Sequence, residues 1–298
     1  MEWTKKKYNK DLRFIFINAW NEWGEGSYLE PDNKYGYASI NALSKAIFNL
    51  SYNAKYKIDA KIKISVLVNI DNIDLTNEII NKINNIPYIY DLFIIIKEEM
   101  NLDKLKNKLN LNSNCSHLKL ILLFNKRGNL LDILFKFRNK MKNYKYICNI
   151  NSYHYKEIKY FEDWRNYIYN NLLGDSKIIS EILTDFEENE NLGIIFPKKY
   201  YKSLIKFGDF IDDNELKYLN SLLKLIFFRI KASETSLDYP EGNMFWARIS
   251  AIYPIFKLIR KIIVRRKYLL ISQFHLEKIW VFLLKKNGFL YKTIINKI

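Results

Sequence analysis

The sequence predicts an α/β fold in which a mostly parallel sheet is flanked by helices. From Lys63 onward, apolar runs of strand length, among them KISVLVNI, YDLFIIIK, LKLILLF and YKYICNI, alternate with stretches of helical spacing. This alternation is typical of crossover units, which place parallel strands side by side with helices on both faces. We therefore expect parallel strands that end near Asn69, Lys97 and Asn125.

The helices are expected between these strands and after them. Helical spacing occurs at about 75–84, near 102–110 and over about 129–142. Beyond Trp164 the pattern becomes mostly helical, with one apolar strand in NLGIIFP and another in EGNMFWAR. The sequence thus predicts a helical C-terminal part that joins the sheet in one domain over 63–298.

The first 62 residues have a different organisation. An apolar run at 13–18 suits a buried strand, and 37–49 has the apolar spacing of a helix. Residues 51–62 are polar and have no strong period, so we interpret them as a linker after an N-terminal segment, 1–50.

The composition indicates a globular, basic protein. The 298 residues include 48 Lys and Arg and 32 Asp and Glu, which gives a net charge of +16 and a pI near 9.5. Anionic partners such as nucleotide diphosphates, nucleic acid or a lipid surface fit this charge. The basic residues are scattered and no nucleic-acid-binding module accompanies them, so we expect no nucleic-acid partner.

The cellular location is predicted from the absence of a signal peptide and of a membrane-spanning run in the given sequence. The N-terminus has no apolar core of signal-peptide length, and no run reaches the roughly 18 apolar residues that span a bilayer. Two cysteines, Cys115 and Cys148, offer neither a disulfide framework nor a zinc cluster. We therefore expect a cytoplasmic protein. The segment 255–271 combines basic and aliphatic residues and could contact the inner face of a membrane. The alternative is a core helix with a basic outer face.

The motif NEWGEG near the N-terminus carries candidate catalytic carboxylates. It places Glu22 and Glu25 three residues apart between Trp20 and Trp23. Aromatic rings stack on sugars, and two close carboxylates can divide acid and base roles. The alternative is an acidic surface loop that its aromatic residues anchor.

The stretch NAWNEWGEGSYLEPD, followed by YGYASINALSKAI, resembles the closing segment of WbsX-like domains from bacterial polysaccharide loci. These domains are similar to endomannosidase-like glycoside hydrolases. The resemblance implies a fragment of a (β/α)₈ barrel, with Glu22 and Glu25 in its catalytic positions. Because such a barrel takes about 250 residues, we expect 1–50 to be the tail of a truncated domain whose glutamates are inactive.

A longer stretch, from about 63 to 289, resembles the rhamnan synthesis F family. The motifs that carry the resemblance are NNIPYIYDLFI, NKRGN, WRNYIYNNLLG followed by NLGIIFP, EGNMFWAR, and LEKIWVFLLKKNGF. The resemblance implies a glycosyltransferase A-like fold. It also implies transfer of a deoxyhexose such as rhamnose from a nucleotide sugar, dTDP- or GDP-linked, to a glycan or lipid-linked glycan. The product would be a bacterial surface polysaccharide such as rhamnan or lipopolysaccharide O-antigen.

Candidate donor-binding residues follow the predicted strands, because ligands of parallel sheets bind outside the carboxyl ends of the strands. These residues are Asn69, Asn125, Arg127, Gly128 and Asn151. Gly128 would let the backbone approach a phosphate, and Arg127 would supply charge to the diphosphate. The alternative for NKRGN is an ordinary turn.

The EGNMFWAR strand supplies the candidate acceptor-binding residues Glu241, Gly242, Trp246 and Arg248. For Glu241 and Arg248 a structural ion pair is the alternative, and for Trp246 a place in the core. The resemblance of LEKIWVFLLKKNGF to the closing Glu-Arg helix of the family makes Glu277 a candidate catalytic residue.

The chain also departs from the family pattern. Asn69, Asn151, Leu130 and Phe274 stand where the family has polar or ionisable residues. No Asp-x-Asp motif is present to hold a metal-bound diphosphate, so we assign no metal ligand. The sequence does not define a cofactor, and a divalent metal remains one of the alternatives. A catalytically inactive remnant or scaffold of the same pathway is therefore the alternative function.

Overall fold

The computed structural model describes most of the chain, in nine stretches. These are 19–32, 43, 62–97, 100–123, 137–152, 161–200, 213–224, 238–254 and 273–295. The chain divides into two compact units, Met1–Lys57 and Ile58–Ile298. Each unit is described by itself.

The first unit contains a small hairpin over the NEWGEG motif. Strands β1 (Asn21–Glu22) and β2 (Ser27–Tyr28) pair antiparallel around a 3-10 turn, Trp23–Glu25. Gly26 ends the turn in the left-handed conformation, with φ +69°. The predicted strand at 13–18 lies outside the described residues, as does the predicted helix at 37–49 apart from one helical residue, Leu43.

The second unit is built on one seven-stranded sheet. Its strands are β3 (Ile64–Ile70), β4 (Tyr90–Lys97), β5 (Cys115–Leu123), β6 (Tyr146–Asn151), β7 (Leu192–Pro197), β8 (Phe245–Arg248) and β9 (Leu290–Ile294). Their order is β5-β4-β3-β6-β8-β7-β9. Every pairing is parallel except those of β8, which runs antiparallel to both β6 and β7. The predicted mostly parallel sheet is therefore confirmed, with the first three strands ending at Ile70, Lys97 and Leu123.

Helices flank the sheet, as predicted. They are α1 (Thr76–Ile83), α2 (Leu102–Lys106), α3 (Phe161–Leu173), α4 (Ser176–Glu188), α5 (Asp213–Leu223), α6 (Ile249–Ile252) and α7 (Gln273–Lys286). Side chains fix where some of them begin. Asp175 caps α4 by accepting from the Ile178 N–H at 2.8 Å, and Asn101 caps α2 in the same way.

Two hydrophobic layers enclose the sheet. Along β3, Val66 and Val68 belong to the layer that packs against α1, α3 and α4, whereas Leu67 belongs to the layer of α5 and α7. A strand that is buried on both faces needs apolar residues at nearly every position. This explains why the central strands read as continuous apolar runs.

The described residues of the C-terminal part contain one strand more than predicted. Beyond Trp164 the chain contributes three of the seven strands, β7, β8 and β9, to the sheet. The sequence predicted β7 and β8 but not β9, LYKTI, which lies at the edge of the sheet. Its residues are half-buried or exposed, with Leu290 56% exposed, because an edge strand packs against few neighbours. Within the described residues, no helix is both long and apolar enough to span a membrane.

Candidate functional site

Polar residues at the carboxyl ends of β3 and β6 lie side by side. The two strands are neighbours, and their register pairs Asn69 directly with Asn151. The chain leads from β3 to β4 on one side, whereas β6 lies on the other side, so the strand order reverses between them. Ligands of open α/β sheets bind in the crevice at such a switch point. The structure therefore brings together two of the predicted donor-binding residues.

The other three predicted donor-binding residues, Asn125, Arg127 and Gly128, lie outside the described residues. The strand that precedes them, β5, is parallel to β4 and ends at the same edge of the sheet. Their part in donor binding stays a prediction.

Ser152 connects the ends of β3 and β6 through hydrogen bonds. Its Oγ accepts hydrogen bonds from the backbone N–H groups of Asp71 and Asn72, at 2.7 and 3.0 Å. Its own N–H donates to the Asn69 carbonyl at 2.9 Å. Because Ser152 is fully buried, these bonds fix the backbone on both sides of the crevice. The Asp71 carboxylate follows β3 there and accepts from Asn69 Nδ2 at 2.9 Å.

A left-handed turn precedes β8 at the same edge, since β8 runs opposite to its neighbours. Residues Glu241–Asn243, here called the Glu241 turn, form a short 3-10 turn in which Gly242 has φ +65° and Asn243 has φ +55°. A Cβ at Gly242 would lie 2.8 Å from Cη2 of Trp164. Glycine is therefore required both by the dihedral angle and by the close approach of the indole.

Side chains from β6 and α7 hold the Glu241 turn. Asn151 Nδ2 donates to the Gly242 carbonyl, and Asn149 Nδ2 donates to the Asn243 carbonyl. From α7, Trp280 Nε1 donates to Asn243 Oδ1 at 2.9 Å. Both asparagines and Trp280 are buried. The turn is thus bonded to the strand and to the helix that border it.

The Glu241 carboxylate is oriented by two N–H donors. Its Oε2 accepts from Trp164 Nε1 at 3.0 Å and from the Tyr200 backbone N–H at 3.2 Å. These two hydrogen bonds fix the position of the Glu241 carboxylate at the carboxyl edge of the sheet.

A second carboxyl group, that of Glu277, reaches the same turn from α7. It is only 6% exposed. Burial raises the pKa of Glu277 well above its usual value, and the nearby negative charge of Glu241 raises this pKa further. A hydrogen bond from the Gly242 N–H and the positive charge of Lys278 lower the pKa of Glu277 by smaller amounts. The structure thus places the predicted catalytic residue beside two of the predicted acceptor-binding residues, Glu241 and Gly242.

This edge of the sheet can transfer protons and recognise hydroxyl groups. A buried carboxyl group with a raised pKa keeps its proton to a higher pH than an exposed one, so that it can act as an acid or a base in a reaction. Amide, hydroxyl, indole and carboxylate groups lie at the same edge of the sheet, and groups of these types bind sugar hydroxyl groups in proteins. Within the part of the chain that the structure describes, no three His, Cys, Asp or Glu side chains approach one another as metal ligands would.

Arg248 lies at the opposite edge of the sheet, away from Glu241. It pairs with Tyr146, the first residue of β6. Its guanidinium donates to the Leu192 and Asn189 carbonyls, each at 3.2 Å, and to the Phe186 carbonyl. These carbonyls belong to the end of α4 and the chain that follows it. Arg248 therefore ties α4 to the sheet and does not join the predicted acceptor-binding group.

Trp246, also predicted to bind the acceptor, is a core residue. It is fully buried, and its Nε1 donates to the Leu172 carbonyl at 3.0 Å. The side chain packs in the layer of α3 and α4. Of the two roles that the sequence left open, the structure shows the core role.

The two N-terminal glutamates lie in the hairpin of the first unit. Glu22 and Glu25 are both exposed. Trp23 stacks on Tyr28 with ring centroids 4.1 Å apart, and its Nε1 donates to Glu30 at 2.8 Å. The aromatic residues therefore anchor the loop, which matches the alternative interpretation of this motif. The described residues do not confirm the barrel fragment that the resemblance implies.

Sequence reasoning missed several residues that build the site. They are Asn149, Ser152, Asn243 and Trp280. One signal was present, because YICNIN places Asn149 and Asn151 on the same face of an otherwise apolar strand. Two side-chain amides on one buried face need hydrogen-bond partners, and these partners belong to the site.

Comparison with known proteins identifies relatives of both parts of the chain. Residues 38–263, well over half of the chain, match the model of the rhamnan synthesis protein F family. Residues 1–43 match the model described as glycosyltransferase WbsX. The order of the two families is the predicted one, and Glu277 lies beyond the matched range.

Individual relatives are more distant. The uncharacterized protein WxcX of Xanthomonas campestris pv. campestris, strain B100, is 26% identical over 254 residues, which cover 82% of this chain and 33% of that protein. WxcX of strain ATCC 33913 gives the same values. The chain thus spans about a third of the length of these curated relatives. Among solved structures, the mannosyltransferase Ktr4p from S. cerevisiae, in complex with GDP, matches with a TM-score of 0.39 and 11% identity, over 88% of this chain and 80% of that one.

Proposed function

Because the chain belongs to the rhamnan synthesis protein F family, we propose that it is a glycosyltransferase of bacterial surface polysaccharide synthesis. Its donor is a nucleotide sugar, dTDP- or GDP-linked, that carries a deoxyhexose such as rhamnose. Its acceptor is a growing glycan or a lipid-linked glycan. The reaction takes place in the cytoplasm, at the inner face of the membrane where such acceptors are held.

One observation carries this proposal: the buried carboxyl group of Glu277 meets the Glu241 turn at the ligand-binding edge of a parallel sheet. In the transfer, the acceptor oxygen attacks the anomeric carbon of the donor sugar. Its proton passes to the Glu277 carboxylate. The bond from the anomeric carbon to the diphosphate oxygen breaks, and its electron pair leaves with the diphosphate.

The raised pKa of Glu277 suits this role. A general base works best when its pKa lies near the pH of the reaction, where it is ionised often enough and still binds a proton well. The burial of Glu277 and the charge of Glu241 both raise its pKa in that direction. Glu241 and the backbone at Gly242 would bind the acceptor on the same side.

The donor would occupy the crevice between β3 and β6. Asn69 and Asn151 border the crevice at its base. Asn125, Arg127 and Gly128 follow strand β5, which β4 separates from β3, and they complete the proposed donor site at the same edge of the sheet. Arg127 would pair with the diphosphate as the sequence predicts.

Calorimetry against a panel of dTDP- and GDP-sugars tests the proposal. We expect at least one donor to bind. Arg127→Ala should weaken that binding by roughly 1.5 to 3 kcal/mol, about tenfold or more, because it removes a charged hydrogen-bond donor. If no donor binds at millimolar concentration, the transferase proposal is wrong. If a donor binds and Arg127→Ala has no effect, the diphosphate lies elsewhere.

The second candidate is a non-catalytic scaffold of the same pathway. The observation that favours it concerns Asn151, whose amide is used to hold the Gly242 carbonyl. Asn69 likewise donates to the Asp71 side chain. Amides that bond within the protein support a structural role for these two positions. The calorimetric panel separates the two candidates, since a scaffold would bind no donor.

A further inference from the structure

The Asp71 carboxylate lies where the ends of β3 and β6 meet. Its Oδ2 accepts from Asn69 Nδ2 at 2.9 Å, and the Asp71 backbone N–H donates to Oγ of Ser152, the residue after β6, at 2.7 Å. A carboxylate has about four acceptor positions, so the bond to Asn69 orients Asp71 without using up its capacity to accept. Asp71 is half-buried, and a ligand in the crevice can therefore reach it.

This carboxylate lies on the face of the sheet that α7 covers. Along β3, Leu67 packs in the layer of α5 and α7, and Asn69, two residues later, is on the same face. Because Asn69 bonds to Asp71, the Asp71 carboxylate lies on this face as well. Glu277 belongs to α7 itself. The Asp71 carboxylate and the proposed general base are therefore on one side of the sheet.

A row of polar groups connects the two carboxyl groups. Asn69 pairs in register with Asn151 of the neighbouring strand, and Asn151 Nδ2 donates to the Gly242 carbonyl. The Gly242 N–H in turn donates to Glu277. Strands β3 and β8 are two strand spacings apart, roughly 10 Å. This interval has the size of one sugar ring with its hydroxyl groups.

The transferred sugar would occupy this interval. In the proposed donor site, Arg127 binds the diphosphate from the chain after β5, whereas Glu277 lies beside the Glu241 turn that precedes β8. The anomeric carbon is bonded to the diphosphate, and it is attacked by the oxygen whose proton Glu277 receives. The sugar therefore lies between the diphosphate and Glu277. Asp71, at the end of β3, has this intermediate position in the strand order.

We propose that the Asp71 carboxylate binds hydroxyl groups of the transferred sugar and so selects the donor. This inference rests on the proposed transferase function. The two oxygens of a carboxylate can accept from hydroxyl groups on neighbouring carbons, which a deoxyhexose such as rhamnose offers. Hydrogen bonds to an ionised group are stronger than those between neutral groups. A site that bonds a hydroxyl group in this way discriminates against a sugar that lacks it.

Calorimetry on the full chain tests this site. The probes are dTDP- and GDP-sugars, dTDP-rhamnose and GDP-rhamnose among them, each compared with free dTDP or GDP. Asp71→Asn keeps the size of the side chain but removes its charge and one acceptor oxygen. It should weaken binding of the nucleotide sugar about tenfold or more, the size expected for a hydrogen bond to a charged group. Binding of the free nucleoside diphosphate should be unchanged or slightly tighter, because the lost charge repels the diphosphate.

Two further variants separate a sugar contact from a general effect of charge. Asp74→Asn is the matched control, because Asp74 is exposed in the same loop and pairs with Lys104 and Lys108 at 3.0 and 3.5 Å. It should leave both affinities unchanged. Asp71→Glu keeps the charge but displaces the carboxylate by one methylene group, and it should also weaken binding of the nucleotide sugar. Thermal unfolding shows that each variant is folded before its affinity is compared.

The outcomes are distinct. If Asp71→Asn weakens binding of the free nucleoside diphosphate as much as that of the nucleotide sugar, Asp71 does not bind the sugar and the inference is wrong. If Asp74→Asn has the same effect as Asp71→Asn, the effect is one of general charge and the inference is again wrong. If Asp71→Asn and Asp71→Glu bind the nucleotide sugar as wild type does, the inference fails while the transferase proposal stands. If wild type binds no nucleotide sugar, both the inference and the proposed function are wrong.

Discussion

The molecule contains two pairs of glutamates that differ in almost every physical respect. Glu22 and Glu25 are close in sequence, lie in a hairpin and are exposed. Glu241 and Glu277 are far apart in sequence, and the fold brings them together at the carboxyl edge of the sheet, where Glu277 is buried. Burial and neighbouring charge are what change the chemistry of a carboxyl group. Spacing in the sequence detects only the first pair, whereas the second pair has the environment of a reactive site.

The largest expected effect on stability comes from breaking the turn that assembles the second pair. Gly242→Ala forces a side chain into the left-handed region, at a cost of about 1 to 2 kcal/mol. It also drives the new Cβ to 2.8 Å from the Trp164 indole. We expect a total loss of at least about 2 kcal/mol in the free energy of unfolding, measured by urea denaturation.

Gly288→Ala is the matched control for that variant. Gly288 has φ +77°, and a Cβ there would meet nothing within 4 Å. Only the cost of the left-handed conformation, about 1 to 2 kcal/mol, should remain. If both variants lose the same stability, the packing of Trp164 against the Glu241 turn contributes nothing.

A smaller stability loss should come from the opposite edge of the sheet. Arg248→Met removes the donor that serves the Leu192, Asn189 and Phe186 carbonyls. We expect a loss of about 1.5 kcal/mol in the free energy of unfolding, the low end of the range for a charged donor, because Arg248 is only half-buried. Because Arg248 lies away from the site, the affinity for a nucleotide sugar should stay the same. If a folded Arg248→Met protein loses affinity for the nucleotide sugar, Arg248 contributes to ligand binding and our structural assignment is wrong.

The contrast between the glutamate pairs should also appear as a pH dependence of stability. The folded state binds a proton at Glu277 more tightly than the unfolded state does, because the pKa of Glu277 is raised. Its contribution to stability is therefore complete below the ordinary glutamate value of 4.5 and is lost as the pH rises through the raised pKa. Glu277→Gln lacks this dependence, so its stability relative to wild type should increase with pH above 4.5.

Urea denaturation at a series of pH values measures this difference. Glu25→Gln provides the comparison from the other pair and should change stability little, because Glu25 is exposed. If the stability of Glu277→Gln relative to wild type does not vary with pH, folding does not raise the pKa of Glu277.

The smallest expected effect lies outside both pairs. The hydroxyl of Tyr90 is buried and has no hydrogen-bond partner among the described residues. Tyr90→Phe removes this unsatisfied group and keeps the ring in the core. We expect it to leave stability unchanged or to raise it by up to about 1 kcal/mol, seen as a small increase in Tm. A clear decrease in Tm would mean that the hydroxyl has a partner after all.

The fold was predictable to a large extent because its central strands are buried on both faces. Strands β3, β4, β6 and β7 therefore read as apolar runs, and the alternation with helices predicted their parallel order. Strand β9 has no such run, since it lies at an edge. The antiparallel direction of β8 is not encoded in its four residues either. That direction is set by the neighbours with which it pairs.

The site was predictable as a set of residues but not as an arrangement. Asn69, Asn151, Glu241, Gly242 and Glu277 were all named from the sequence, and the structure places them at one edge of the sheet. The same reasoning grouped Arg248 with Glu241, since both belong to one motif. A strand carries the two ends of its motif to opposite edges of the sheet, and the antiparallel direction of β8 puts Glu241, not Arg248, at the carboxyl edge.

Turnover by Glu277→Gln tests the central claim most directly. The assay follows release of the nucleoside diphosphate from a bound nucleotide sugar in the presence of acceptor, alongside the affinity for the donor. The account predicts that Glu277→Gln binds the donor normally and loses about 10²- to 10⁴-fold in kcat, the range for removing a general base, while Glu188→Gln, at the exposed end of α4, transfers at the wild-type rate. A Glu277→Gln protein that is folded and transfers sugar as fast as wild type would contradict it.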